Sequence, residues 1–455
     1  MKKRMYKIMA LAMTAAMVVP MAAQTTAFAA DDKEITYWNI AVESPDKDIV
    51  TAAVDKFNKE TESGYTVNSV AIQNDTYKEK LVIAMSSGEC PDMYSSWSGG
   101  PMYEYIDSGF AQPIDDLLDQ SDIKDKLLDA AIEQGSYNGH VYAIPYLNVS
   151  LAGIFYNKDM FKQYGLEEPK TLADLENICA TLKENGITPF ALANASKWTG
   201  SMYFMSLAAR YGGLEPFQNA VAGTGKFTDD CFIKAGEKIQ EWVKNGYFPD
   251  GVNSLSEDDG QAKQLMYQET AGMLLCGSWY TGTFQTDSEE FYQKIGWFPF
   301  PAIDDSDADP TIQIGTVGDQ FISFNCEGDK LAAAFECATD HLSDEVEDMI
   351  YSTGKIAPVK DAKDHIKDPV VKEIFDAAQE APSIQLWYDQ YLPTSVASAH
   401  LDGLQEVFGL TKTPQEAQEE MQKAMDEYLS TKSDSDAADD TAEEATDDAA
   451  ADDAE

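Results

Sequence analysis

Aromatic residues in loop-like positions are the part of this sequence best suited to binding chemistry. Trp97, Trp198, Trp279 and Trp387 each follow an apolar run and stand in a polar stretch. A pyranose ring has an apolar C–H face and a rim of hydroxyl groups, so a site for it needs flat aromatic platforms beside carboxylates and amides. The sequence supports a ligand role and a structural role for these four rings about equally.

The other three tryptophans lie in apolar surroundings. Trp242 falls on the apolar face of a stretch with helical period, Trp38 is inside a strand-like run, and Trp297 is flanked by apolar residues. Such positions are typical of core residues. We predict that these three rings are buried, and that Asn39, at the end of the strand that contains Trp38, is better placed to meet a ligand.

Motifs of the common enzyme classes do not occur in the sequence. It has no G-x-x-x-x-G-K-[ST], G-x-S-x-G or H-E-x-x-H, and its four histidines are far apart. The six cysteines form no C-x-x-C, and the aspartates at 305, 307 and 309 lack the glycine and the distal glutamate of a calcium loop. The sequence therefore predicts no catalytic residue, no metal site, no cofactor, and mostly free, buried thiols.

The chain is strongly acidic. Its 79 acidic and 33 basic residues give a formal net charge of −46. A field of this sign repels phosphate groups, so neither nucleic acid nor an anionic membrane surface is an expected partner. The charge places little restriction on a neutral small ligand.

The first residues have the composition of a secretory leader. Four basic residues within the first seven precede an apolar run over residues 8–23, and Ala27-Phe28-Ala29 fits a small-x-small cleavage site. We predict a signal peptide over residues 1–29, cleaved near Ala29, and a mature protein that is secreted, lies at the cell surface or faces the periplasm. Since no cysteine stands next to the cleavage point, a bacterial lipid anchor is not expected.

Strand and helix signals alternate after this leader. Three strand-like runs and two stretches of helical period follow each other as β-α-β-α-β over residues 34–94. This order predicts a mostly parallel sheet with helices on both faces. Ligands of such sheets bind outside the carboxyl ends of the strands, which makes Glu43 and Gln73 candidate ligand-binding residues together with Asn39.

A second α/β unit follows residues 139–161, which are predicted to carry the chain from one unit to the other. The last helix begins at a capping box formed by Thr413 and Glu416. Beyond Lys432 the chain has eleven acidic residues and no aromatic residue. Such a composition cannot bury a core, so residues 431–455 are predicted to form a disordered acidic tail.

Short motifs in a fixed order, spread over residues 35–429, resemble those of extracellular solute-binding proteins (family 1) of carbohydrate ABC transporters, the maltose- and multiple-sugar-binding class. The most diagnostic pair is Tyr156-Asn157-Lys158-Asp159 followed by Pro169-Lys170-Thr171. The other motifs are Gly88-Glu89-Cys90-Pro91-Asp92, residues 109–115, residues 138–145, Thr188-Pro189-Phe190, Gly272-Met273, Gly277-Ser278-Trp279 and Ala357-Pro358-Val359.

The resemblance implies an α/β, two-lobed, periplasmic-binding-protein-like fold of type II. Its lobes are discontinuous and are joined by three hinge crossings, expected near residues 146–154, 314–318 and 356–360. The implied bounds are residues 30–149 with 317–355 for the first lobe, and residues 150–316 with 356–430 for the second lobe.

The resemblance also implies a function. The protein would be no enzyme but a monomeric receptor that captures a neutral mono- or oligosaccharide between its lobes and delivers it to an ABC permease. The alternatives are a ligand-sensing subunit for a chemoreceptor or sensor kinase, a binder of a non-sugar solute and, least favoured, a secreted glycosidase. The candidate ligand-binding residues are Asn39, Glu43, Gln73, Trp97, Tyr146, Trp198, Trp279, Trp387 and Asp389.

Overall fold

The computed structural model describes the backbone of residues 33–451 and the side chains of residues 33–432. The predicted signal peptide lies outside the described residues. Within them, strands and helices alternate along most of the chain, and two β-sheets organise the fold.

The chain up to its first passage between the two sheets begins with strands and helices in strict alternation. Short helices and short strands follow. They are β1 Glu34–Asn39, α1 Asp46–Glu60, β2 Thr66–Ala71, α2 Asn74–Ser87, β3 Met93–Ser96, α3 Gly100–Asp107, α4 Asp115–Asp119, α5 Ile123–Lys126, α6 Asp129–Gln134, β4 Ser136–Tyr137, β5 His140–Val141 and β6 Ala143–Pro145.

The middle of the chain contains most of the second sheet. Its elements are β7 Val149–Asn157, α7 Lys158–Tyr164, α8 Leu172–Glu184, β8 Thr188–Phe190, α9 Trp198–Gly212, α10 Glu215–Val221, α11 Asp230–Lys244, α12 Gln261–Tyr267, β9 Ala271–Gly277, α13 Tyr280–Asp287, α14 Glu289–Tyr292, β10 Ile295–Phe298 and β11 Gln313–Val317.

The last part of the chain returns to the first sheet and then to the second. Its elements are β12 Phe321–Phe324, α15 Gly328–Asp340, α16 Asp344–Ser352, α17 Pro369–Glu380, β13 Ile384–Gln385, α18 Tyr388–Tyr391, α19 Thr394–Phe408 and α20 Pro414–Ala451. Helix α20 therefore continues past residue 431. The described side chains end at Lys432, and the disordered tail stays a prediction.

The first sheet has the strand order β2-β1-β3-β12-β6. Strand β1 pairs in parallel with β2 and β3, while β12 runs antiparallel between β3 and β6. The predicted β-α-β-α-β start is thus confirmed, and the parallel strands β1, β2 and β3 end at one edge of the sheet. We call this sheet with its helices the first lobe.

The second sheet has the order β13-β11-β7-β9-β8, with β10 paired to β7. All nine residues of β7 are buried, as their near-continuous apolar sequence requires of a central strand. Gly153 in β7 leaves room for the indole of Trp297 on β10, since a Cβ on Gly153 would lie 2.2 Å from that ring. Trp297 and Trp242 are buried, which confirms their predicted place in the core. The predicted burial of Trp38 is wrong: its ring lies on the half-buried face of β1 and is only partly covered. This sheet with its helices is the second lobe.

The chain passes between the sheets three times, at residues 146–148, 318–320 and 353–368. Asn148 connects these passages: its carbonyl oxygen accepts from the Asp319 N–H at 2.7 Å, and its Oδ1 accepts from the Ile356 N–H at 2.8 Å. The predicted discontinuous lobes and three crossings are therefore present. Val359 still pairs with Leu127 of the first lobe, and the bounds given for each lobe stay a prediction.

Candidate ligand-binding cleft

Two adjoining cavities lie between the lobes. The first, here called the tryptophan cavity, has a volume of about 190 Å³, and the second, the side cavity, about 210 Å³. The tryptophan cavity is lined by Ile40, Asp46, Asn74, Lys78, Trp97, Trp198, Met202, Glu257, Trp279, Asp319, Gln320, Trp387, Asp389 and Gln390. The side cavity shares five of these residues and adds Glu43 and Gln73, among others.

Three indole rings of the second lobe, those of Trp198, Trp279 and Trp387, form a continuous side of the tryptophan cavity, here called the indole wall. The ring centroid of Trp279 lies 6.0 Å from that of Trp198 and 5.9 Å from that of Trp387. Trp279 follows β9 and Trp387 follows β13, so both stand where a strand ends. Such a wall offers flat apolar faces to a ligand.

The fourth indole, Trp97, comes from the first lobe and follows β3. Its ring packs edge-on against Tyr77 at a centroid distance of 5.9 Å, and the Lys78 ammonium lies 5.0 Å from its ring centroid. Lys78 also pairs with Asp389 of the second lobe at 3.4 Å. Aromatic surface is therefore present on both sides of the cleft.

The ring of Trp387 lines this cavity, and its indole N–H is a buried donor without a partner among the described residues. The side chain is only 2% exposed, and its Nε1 has no hydrogen-bond partner within the described structure. A buried N–H without an acceptor is costly, so this donor lowers the stability of the form described here.

Polar groups at the second passage between the lobes complete the cavity. Gln320 accepts a hydrogen bond at its Oε1 from the Tyr146 hydroxyl, at 2.7 Å, which leaves the Gln320 amide N–H groups for another partner. Asp319 is buried next to it. Asp46, also in the wall, pairs with the buried Lys355.

Seven of the nine predicted site residues line a cavity. Trp97, Trp198, Trp279, Trp387 and Asp389 line the tryptophan cavity, and Glu43 and Gln73 line the side cavity.

Asn39 and Tyr146 line neither cavity. Asn39 is fully buried, where its Nδ2 donates to the Ser69 hydroxyl at 2.8 Å and its Oδ1 accepts from the Ala41 N–H at 3.0 Å. Tyr146 is also fully buried, and its ring packs edge-on against His341 at 4.8 Å. Their positions give no support to direct ligand contact, and Tyr146 instead orients Gln320.

Sequence reasoning missed several polar lining residues, among them Asp46, Lys78, Glu257, Asp319 and Gln320. Asp319 and Gln320 directly follow the predicted crossing at 314–318, which was the one available signal for them. Asp46 begins α1 and Lys78 lies in the second turn of α2, whereas the strand-end argument points only to the preceding loops.

Two carboxyl groups in the tryptophan cavity have raised pKa values. Burial raises the pKa of Glu257 from 4.5 to about 7, although a hydrogen bond from the Tyr280 hydroxyl and the charge of Lys263 oppose the shift. Burial also raises the pKa of Asp319 from 3.8 to about 7, against the charge of Lys355. Both groups are thus partly protonated near neutral pH.

Glu257→Gln is expected to remove part of the pH dependence of stability. Because folded Glu257 holds its proton up to about pH 7 and the unfolded side chain only to about 4.5, the free energy of unfolding falls as pH rises between these values. At pH 5 variant and wild type should be similar; at pH 8 the variant should gain on the order of 1–3 kcal/mol relative to wild type. Urea denaturation at pH 5 and pH 8 measures the free energy of unfolding of both proteins. The expectation would be contradicted if the difference between variant and wild type were the same at both pH values.

Metal or membrane features are not found in the part of the chain that the structure describes. No group of three or more histidine, cysteine, aspartate or glutamate side chains is arranged there to hold a metal ion. Among the same residues, no helix is both long enough and apolar enough to cross a membrane. All six cysteines are free, and five of them are buried.

The model of one protein family, described as bacterial extracellular solute-binding protein, matches residues 41–338. The chain belongs to this family of bacterial extracellular solute-binding proteins. The family that the motifs predicted is confirmed, and with it a binding protein in place of an enzyme.

Two relatives carry descriptions that name an ABC transporter or a sugar. An uncharacterized ABC transporter extracellular-binding protein of Pyrococcus horikoshii is 32% identical over 228 residues, which is 50% of each chain. A multiple sugar-binding protein of Streptococcus mutans is 30% identical over 178 residues, 36% of this chain and 39% of the relative. The matches thus span about half the length of these curated relatives or less.

A solved structure shares the whole fold. It comes from work on xylan utilization by the thermophilic bacterium Caldanaerobius polysaccharolyticus and is 28% identical, with a TM-score of 0.79. The match covers 86% of this chain and 99% of the other. It confirms the predicted two-lobed α/β fold.

Proposed function

We propose that the protein is an extracellular receptor that captures a neutral oligosaccharide between its lobes and delivers it to an ABC permease. The observation that carries this proposal is the tryptophan cavity, in which three indoles of one lobe and one indole of the other surround carboxyl and amide groups. Flat aromatic faces match the C–H faces of sugar rings, and the polar groups match their hydroxyls.

The charges of the cavity favour an uncharged ligand. Asp389 is paired with Lys78, and Asp46 with Lys355. The remaining two acids, Glu257 and Asp319, have pKa values raised to about 7 and so resist carrying a full negative charge. A strongly cationic or anionic molecule would find no unpaired, fully charged partner here.

The proposed steps of export, ligand binding and delivery rest on the predicted signal peptide and on the family. The leader is cleaved near Ala29, the mature chain acts as a monomer outside the cell membrane, and sugar binding closes the lobes before the permease is reached. Hinge closure around a ligand is the general behaviour of periplasmic binding proteins. Closure is favoured only by contacts that the sugar gains in the closed form, which requires platforms on both lobes.

Calorimetry of the mature chain with a panel of compounds tests the proposed function. The panel holds xylotriose, raffinose, stachyose and chitotriose as neutral oligosaccharides, with spermidine and a tripeptide as charged controls. We expect at least one oligosaccharide to bind and to be recovered intact by chromatography. Binding of spermidine or the tripeptide without any sugar would overturn the sugar assignment, and cleavage of the sugar would overturn the receptor assignment.

A further inference from the structure

Helix α2 of the first lobe and helix α19 of the second lobe lack a side-chain cap of their own. Helix α2 of the first lobe is preceded by Gln73, and helix α19 of the second lobe by Pro393; neither residue caps its helix with a side-chain hydrogen bond. The first N–H groups of any helix have no partner within the helix, so these groups need acceptors from elsewhere.

The second lobe supplies the acceptor for α2. Asp258, in the loop before α12, accepts the Asp75 N–H at its Oδ2, at 3.1 Å, and its carbonyl oxygen accepts from Gln73 Nε2 at 3.1 Å. A carboxylate at this position also interacts favourably with the positive end of the helix dipole. The neighbouring Glu257 lines the tryptophan cavity, so one loop both lines the ligand site and caps the opposite lobe.

The first lobe supplies the acceptor for α19. Glu104, on α3, accepts the Thr394 N–H at its Oε1, at 2.9 Å, and the Thr394 hydroxyl at its Oε2, at 2.6 Å. Each lobe therefore provides the missing cap for a helix of the other lobe.

We propose that Asp258 and Glu104 are reciprocal helix caps that exist only in the closed form and so set the affinity of the receptor. This inference rests on the proposed capture of a ligand by closure, but not on the ligand being a sugar. Both are positioning residues: one carboxylate oxygen of each accepts a backbone N–H of the opposite lobe, and a second oxygen of each accepts from a side chain there. Every contact present only in the closed form raises the population of that form, and with it the apparent affinity.

Proline substitutions at the capped residues allow a sharp test. Proline is tolerated in the first turn of a helix and lacks the N–H, so Asp75→Pro and Thr394→Pro each delete the donor of one cap. Asp75→Ala and Thr394→Ala serve as references, because they keep the N–H and remove only the side chain. Asp258→Ala and Glu104→Ala remove the acceptors.

The probe is whichever of xylotriose, raffinose, stachyose and chitotriose binds wild type most tightly, or spermidine if the panel shows binding only of that compound. In the alanine-reference backgrounds we expect Asp258→Ala and Glu104→Ala each to weaken binding roughly five-fold. In the Asp75→Pro background Asp258→Ala should cause no further loss of affinity, and in the Thr394→Pro background the same should hold for Glu104→Ala. Asp258→Asn should restore most of the affinity, because asparagine caps helices as well as aspartate does.

Thr171→Ala is the matched control. Thr171 caps α8 entirely within the second lobe, through a capping box with Asp174. Its loss should lower the melting temperature and leave the dissociation constant unchanged. The proposed caps would be overturned if Asp258→Ala lowered the affinity equally in the Asp75→Ala background, which keeps the N–H, and in the Asp75→Pro background, which lacks it. They would also be overturned if no acceptor variant changed the affinity. Failure of all sugars to bind, with spermidine bound instead, would overturn only the sugar assignment.

Discussion

Trp279→Ala is expected to weaken sugar binding by about 100-fold or more while the fold is retained. Trp279 lines both cavities and is the only ring in the described structure that contacts both Trp198 and Trp387 within the indole wall. Truncation removes the central platform and the support of its two neighbours, and losses of about 2–4 kcal/mol are typical for such central aromatic residues. Calorimetry with the sugar identified from the panel measures the change.

The control for Trp279 is a tryptophan of the same lobe that does not line the cleft. Trp242 is fully buried, and its Nε1 donates to Glu176 at 2.9 Å. Trp242→Phe should lower the melting temperature and leave the affinity of the folded protein unchanged. If Trp279→Ala bound the sugar as tightly as wild type, Trp279 would be a structural residue and the indole wall would not be the ligand platform.

Gly100→Ala is expected to prevent full closure and to weaken binding at least ten-fold. Gly100 begins α3 in the first lobe, and a Cβ there would lie 2.3 Å from the Leu392 carbonyl oxygen and 2.8 Å from the Pro393 nitrogen of the second lobe. Both atoms belong to the backbone, so no side chain can move aside. Alanine suits helix α3 better than glycine does, and the separate lobes should remain folded.

X-ray scattering with and without sugar tests this expectation directly. Wild type should become more compact when sugar is added, and Gly100→Ala should not. Ser108→Ala, at the other end of α3, is the control and should close normally. Gly99 is less informative, because its φ of +117° would strain any substitution within the first lobe itself. Normal compaction of the Gly100 variant would show that the lobes close without this contact.

The start of the first lobe could be predicted because its signals are local. Period-3.6 and strand-like runs alternate over residues 34–94, and the structure has the same order. The placement of β12 in the first sheet and of β13 in the second could not be deduced from such signals. These pairings join strands far apart in sequence, and only the family resemblance pointed to discontinuous lobes.

The candidate site was predictable where its residues follow strands. Trp97, Trp279 and Trp387 stand just beyond β3, β9 and β13. Asn39 shows the limit of this argument: successive residues of a strand point to opposite faces, and Asn39 falls on the buried face of β1. Glu257 and Asp319 become site residues only through the tertiary fold, which no local pattern records.

The indole wall has a practical consequence for watching this protein at work. Four of its seven tryptophans line one small cavity, and the fluorescence of an indole depends on the polarity around it. A molecule that displaces water from this cavity alters the surroundings of most of the chain's emitters at once. The protein therefore carries its own optical reporter, which can follow ligand arrival in real time without a dye or an engineered label.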